Sequence, residues 1–164
     1  MKNIIFLIGM PGCGKSTVGK ILAEKLNFNF VDLDENISTA AGMDIPEIFR
    51  REGEAGFRKR EKTALFSMEK KQNTVVSCGG GIVLDGENVK MMHSFGVVYL
   101  IRRNLDELAC GGIRPLSTSP EALREMFQKR RDLYENAADF AVENNSKYPP
   151  SVAAEKLMGK FYEN

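Results

Sequence analysis

The chain has 164 residues, 43% of them hydrophobic and 27% charged, with a formal net charge of +1. Those proportions fit one ordinary globular domain with a single core. The near-neutral balance argues against a nucleic-acid binder that works by neutralising phosphates, and no apolar run approaches the roughly 18 residues of a membrane span.

Cys13, Cys78 and Cys110 form no C-x-x-C pair, and His93 is the sole histidine. A structural zinc site is therefore not expected, whereas free thiols in a reducing cytoplasm are.

The first apolar run, "NIIFLIG", passes straight into a glycine loop with no small-residue cleavage site, so it reads as a buried strand and not as a signal sequence. The loop Gly9-Met10-Pro11-Gly12-Cys13-Gly14-Lys15-Ser16 fits G-x-x-x-x-G-K-[ST] in full, between a strand and a helix expected over 15–26. Its backbone N–H groups can turn inward around phosphate oxygens, aided by the positive end of the helix dipole. Lys15 is then the contact to the β- and γ-phosphates, and Ser16 a ligand of Mg²⁺.

Four more runs read as strands: "FNFVDLD", "TVVSCGG", "GVVYLIRR" and "ADFAVEN". Helical patterns fall near 44–70, 85–93, 104–109, 119–135 and 151–162. Consecutive apolar residues in the strands and this alternation predict a single three-layer α/β domain over 1–164, built on a parallel sheet. In such folds ligands bind beyond the carboxyl ends of the strands.

"FVDLD" carries carboxylates there. Read as extended chain, Asp32 and Asp34 point the same way, Asp32 toward the metal's shell and Asp34 toward an acceptor hydroxyl. Alternatively one of them merely caps a following helix.

In "GEAGFRKREKTALFSM", Phe57, Ala64, Leu65 and Met68 form an apolar stripe, and Glu61 lies on it. Arg58 is three residues before Glu61, so Glu61 is expected to orient Arg58 into a cavity. In "EALREMFQKRRDLYENAA", Arg130 falls among Leu123, Met126, Phe127 and Tyr134, while Arg131 points elsewhere. Two inward arginines from separate helices suit a clamp on a small carboxylate, although buried arginines also serve structural ion pairs. Gly79, Gly80 and Gly81 follow a strand where the backbone needs close approach or positive φ, or simply a tight turn. The segment "CGGIRPLSTSP", 110–120, has the composition of a short mobile lid.

The set "GMPGCGKST", "DLD", "GEAGFR", "CGGG", "IRPL" and "RRDLY" resembles the shikimate kinases of aromatic amino-acid biosynthesis along the whole chain. The resemblance implies a nucleoside-monophosphate-kinase-like P-loop domain with a five-stranded parallel sheet. It implies ATP on Gly12, Cys13, Gly14, Lys15, Ser16 and Thr17, and one Mg²⁺ on Ser16 and Asp32. It also implies shikimate on Asp34, Arg58, Gly80, Gly81 and Arg130, with Phe57 and Glu61 in support. Arg114 would come from the lid onto the phosphates, so that Lys15, Asp34 and Arg114 carry catalysis. The adenine side is expected in "ENNSKYPP", 143–150, and the protein is expected to be a cytoplasmic monomer.

Two departures from the family pattern stand out. "DELACGG" lacks an arginine that members often carry before "RPL", and Asp132 replaces a common proline. Cys13, at a helix N-terminus where thiol pKa values fall, is expected to react with thiol reagents unless ATP protects it. The rival readings are a gluconate-type or other small-metabolite kinase, and a catalytically inactive nucleotide-binding module. A GTPase is disfavoured because no N-K-x-D motif is present.

Overall fold

Runs of β-branched, leucine and aromatic residues form five strands: β1 (Ile4–Ile8), β2 (Asn29–Asp32), β3 (Thr74–Ser77), β4 (Val97–Arg102) and β5 (Phe140–Glu143). The structure, a computed structural model, describes residues 3–108, 116 and 119–163. All strand pairs are parallel, in the order β2-β3-β1-β4-β5, with Phe6 of β1 opposite Val76 and Val98. Every residue of β1 is buried, so both faces of the central sheet are covered. The helices that cover them are α1 (Lys15–Leu26), α2 (Leu33–Ala41), α3 (Ile45–Phe66), α4 (Gly86–Phe95), α5 (Pro120–Ala137) and α6 (Pro150–Tyr162). Among the described residues, no helix is long and apolar enough to cross a membrane.

Three expectations need correction. The run "FNFVDLD" ends as a strand at Asp32, and α2, which the periodicity did not predict, begins at Leu33. Its sequence is rich in Ser, Thr, Asn and Asp and buries only Leu33 and Ile37, one turn apart, so its apolar signal is weak. The helix expected over 44–70 is kinked at Gly53, where φ 69° and ψ −178° are open essentially only to glycine, and it ends in a 3₁₀ turn, Ser67–Lys70. The helix expected over 104–109 is a single 3₁₀ turn, Leu105–Glu107.

A second, smaller core of Ile37, Ile45, Ile48 and Phe57 joins α2 to α3. Burying a ring such as that of Phe57 contributes roughly 1.5–3 kcal/mol. That cluster ties both parts of α3, Ile45 and Ile48 before the kink and Phe57 after it, to Ile37 in the middle of α2. The main core fills both sides of the sheet. Between them, at the carboxyl ends of β1, β2, β3 and β4, a cleft of about 1070 Å³ opens where β1 is flanked by β3 on one side and β4 on the other.

Candidate active site

The loop after β1 turns into α1 through Gly14, the N-cap, at φ 94° and ψ 21°. A side chain at Gly14 would be strained there and would overlap the Asn144 amide. Asn144 is itself buried and donates from Nδ2 to the Cys13 carbonyl at 2.7 Å, tying the end of β5 to the phosphate loop. Lys15 is 8% exposed, and its ammonium donates to the carbonyls of Gly9 and Met10, both at 2.9 Å. The loop is therefore wrapped around a positive charge before any phosphate arrives. Gly12, Gly14, Lys15, Ser16 and Thr17 all line the cleft.

Cys13 belongs to the loop, but its thiol is completely buried, with Sγ 3.7 Å from Lys15 Nζ. The expected reactivity toward thiol reagents is overturned: burial, not nucleotide, shields this sulfur. What Cys13 offers the loop is its backbone.

The Ser16 hydroxyl donates to Asp32 Oδ2 at 2.6 Å and lies 3.0 Å from the Ser77 hydroxyl. The donor set is oxygen only, which suits Mg²⁺. Among the described residues, no group of three or more His, Cys, Asp or Glu could hold a metal by itself. An ion on Ser16 and Asp32 would thus complete its shell with phosphate and water oxygens, as Mg²⁺ does in phosphoryl-transfer sites.

Asp32 and Asp34 both reach the cleft, but not as neighbours in an extended strand. Asp32 Oδ1 accepts from the N–H groups of Asp34 (3.0 Å) and Glu35 (3.3 Å), so it caps α2 while Oδ2 faces Ser16. The capping reading therefore holds for Asp32 through Oδ1, and Oδ2 is left to pair with the Ser16 hydroxyl. Asp34 sits in the first turn of α2, where the helix dipole favours a carboxylate.

On the acceptor side, Arg58 Nη1 donates to Glu61 Oε1 at 3.0 Å, as the three-residue spacing predicts. Glu61 is 1% exposed, and Phe57 lies under the Arg58 guanidinium, 5.3 Å from ring centroid to Cζ. Arg130 is 7% exposed and lies beside the Tyr134 hydroxyl. No carboxylate of the described residues forms an ion pair with it. Tyr134 donates to the Gly80 carbonyl at 2.5 Å, which fastens α5 to the glycine segment.

The glycines there serve close approach, and none of the three takes positive φ. A Cβ at Gly79 would come 2.9 Å from Glu61 Oε2 and 3.2 Å from Asp34 Oδ1, and one at Gly80 2.8 Å from Pro11. One at Gly81 would overlap the Arg58 guanidinium. Arg114 and most of the expected lid lie outside the described residues, as does Cys110.

Burial pushes the Glu61 carboxyl up to about 7, against the opposing pull of Arg58, while the charge of Asp34 adds to the rise. Between the ordinary value of 4.5 and about 7, the folded protein keeps a proton that the unfolded chain has released. Stability should therefore fall as pH rises through that window, by on the order of 3 kcal/mol in total. Glu61→Gln is neutral and of the same shape, so its stability should lack this slope. Urea unfolding of both proteins at pH 5 and pH 8 checks it; parallel pH dependence in the two would contradict the assignment.

Several cleft residues had no clear sequence signal. Ser77 ends β3, and Arg103 and Glu107 line the donor side after β4, while Asn144, which follows β5, stands buried behind the phosphate loop. Arg103 was visible as a charge at the carboxyl end of "VVYLIRR", but its neighbour Arg102 is equally charged. Only the fold separates them: Arg102 turns out to Glu135, and Arg103 turns in.

Comparison with known proteins decides the family. The family model described as SKI: Shikimate kinase matches residues 11–160. The chain belongs to the shikimate kinase family. The shikimate kinase of Thermodesulfovibrio yellowstonii is 40% identical, over 98% of this chain and 95% of that protein. That of Persephonella marina is also 40% identical, over 98% and 99%. Among solved structures, shikimate kinase from Acinetobacter baumannii in complex with shikimate superposes with a TM-score of 0.92 at 31% identity, covering 99% of this chain and 94% of that one. A gluconokinase from Sinorhizobium meliloti, at 16% identity and a TM-score of 0.57, shares the fold alone. This family member is thus an ATP-dependent kinase with an all-parallel five-stranded α/β fold.

Proposed function

We propose that this chain transfers the γ-phosphoryl group of ATP to the 3-hydroxyl of shikimate, with Mg²⁺ on Ser16 and Asp32, and that the side chains above divide the work. The observation that carries the acceptor assignment is Arg130: a buried guanidinium without an ion pair among the described residues, on the same cleft as Arg58 and the phosphate loop. A buried cation with no carboxylate in direct contact is costly, and a carboxylate ligand relieves it.

In this reading Arg58 and Arg130 grip the shikimate carboxylate, with Gly80 and Gly81 forming the wall beside it. Glu61 and Phe57 hold Arg58 in aim. Asp34 accepts a hydrogen bond from the 3-hydroxyl and takes its proton as the oxygen bonds to the γ-phosphorus. The bond from that phosphorus to the β,γ-bridging oxygen breaks, and ADP departs. Lys15 and the backbone of residues 12–17 bind the phosphates, and bound Mg²⁺ would neutralise part of their charge. Arg114 of the lid is assigned to the same phosphates on the motif alone. Catalysis in a loose transition state of this kind rests on positioning and charge neutralisation.

The test is ADP release in a coupled assay with shikimate and with gluconate. Release with shikimate alone, abolished by EDTA and restored by Mg²⁺, is expected. Release with gluconate alone would overturn the acceptor assignment, and ATP binding without release for either acid would point to an inactive nucleotide-binding module. We also assign the protein to the cytoplasm as a monomer.

A further inference from the structure

Arg103 follows the carboxyl end of β4, and its guanidinium faces the donor half of the cleft. Nη1 lies 3.9 Å from the position a Cβ would take on Gly14, the residue that caps α1. Two contacts with Glu107 fix it. Nε donates to the Glu107 carbonyl at 3.1 Å and stands 3.8 Å from Glu107 Oε2. The Glu107 carboxylate is held in turn from the other side, accepting from the Ser146 hydroxyl at 2.9 Å and from the Ser146 N–H at 3.3 Å.

Glu107 therefore bridges the segment after β4 to the segment after β5, and Arg103 is presented on the cleft side of that bridge. Both side chains are more than two-thirds buried, at 29% and 25% exposure, so solvent screens them less than a surface pair. A guanidinium tethered through Nε keeps its two Nη groups pointing away from the tether, in the planar fork that matches phosphate oxygens. Arg58 and Arg130 lie on the acceptor side, so they do not supply this fork.

Resting on the reading of residues 12–17 as the ATP site, we propose that Arg103 contacts the polyphosphate of the nucleoside triphosphate donor, and that Glu107 is the positioning residue that keeps it aimed there. Arg103 is a residue of this chain's own donor side, separate from the lid segment.

The experiment compares wild type, Arg103→Ala, Arg103→Lys and Glu107→Gln. Steady-state kinetics are read for both substrates, with calorimetric Kd values for MgATP and for magnesium tripolyphosphate, which has the phosphates and no base. Arg103→Ala should raise the KM and Kd for ATP about tenfold, and the Kd for tripolyphosphate by the same factor, while the KM for shikimate stays within about twofold. Arg103→Lys should recover part of the loss, because it restores the charge without the fork. Glu107→Gln should raise the KM for ATP by about threefold and leave kcat and the KM for shikimate alone.

An ATP affinity within about twofold of wild type in Arg103→Ala overturns the proposal. So does a weakened ATP with unchanged tripolyphosphate, which would assign the arginine to the base. An equal loss for shikimate would make Arg103 a structural residue and overturn it too. Wild type that binds neither ATP nor tripolyphosphate would remove the ATP-site reading itself.

Discussion

Arg130→Ala should raise the KM for shikimate by roughly 10²-fold while the KM for ATP stays near normal, since truncating one partner of a buried charge pair typically costs 2–5 kcal/mol. Arg130 is the cleaner of the two arginines to remove. No carboxylate of the described residues is stranded by its loss, so alanine should leave the melting temperature close to that of wild type. Arg58 is different, because its loss leaves Glu61 buried without its cation, which is a recipe for instability. The matching variant on that side is Arg58→Ala combined with Glu61→Gln, with the same selective rise in KM for shikimate. Gly81→Ala is a third route to the same result. It deletes no charge, but its methyl occupies the space of the Arg58 guanidinium, which is the mobile end of a flexible side chain and can be pushed aside without unfolding the loop. Unchanged KM for shikimate in all three proteins would dispose of the carboxylate clamp.

Asp34→Asn should lower kcat by about 10²–10⁴-fold, the usual contribution of a positioned general base, with the KM for ATP within about twofold of wild type. The amide keeps the shape of the carboxylate and its place in the first turn of α2, but it is a far weaker base and directs two N–H donors where an acceptor is needed. Asp32→Asn separates the two roles, because Asp32 also caps α2 and receives the Ser16 hydroxyl. Its loss should appear mainly in the dependence on Mg²⁺ concentration. A kcat for Asp34→Asn within about tenfold of wild type would show that proton transfer to this residue is not limiting, and positioning alone would then be its role.

Much of the site could be read before any fold was known, for specific reasons. Gly14, Lys15 and Ser16 belong to one contiguous segment whose chemistry is set by local backbone geometry and a helix N-terminus. Glu61 and Arg130 announced themselves as charges on apolar helix faces, where burial makes them expensive unless they pair or bind something. Arg58 came with Glu61 by helical spacing. Asp34 was found for a reason the structure corrects: it reaches the cleft from the first turn of a helix, not from the tip of a strand.

What the amino-acid sequence determined by itself was therefore local: five strands, most of the helices, the phosphate loop, and the charges that did not belong on their faces. Periodicity and short-range capping chemistry are carried by neighbours in the chain. The tertiary structure alone decided which arginine after β4 turns inward, that Cys13 is sealed under its loop, that Asn144 reaches across to the Cys13 carbonyl, and that Glu107 joins two segments through Ser146. Each of those depends on a partner distant in sequence, and a carboxylate or guanidinium acquires its direction only when that partner has been packed against it.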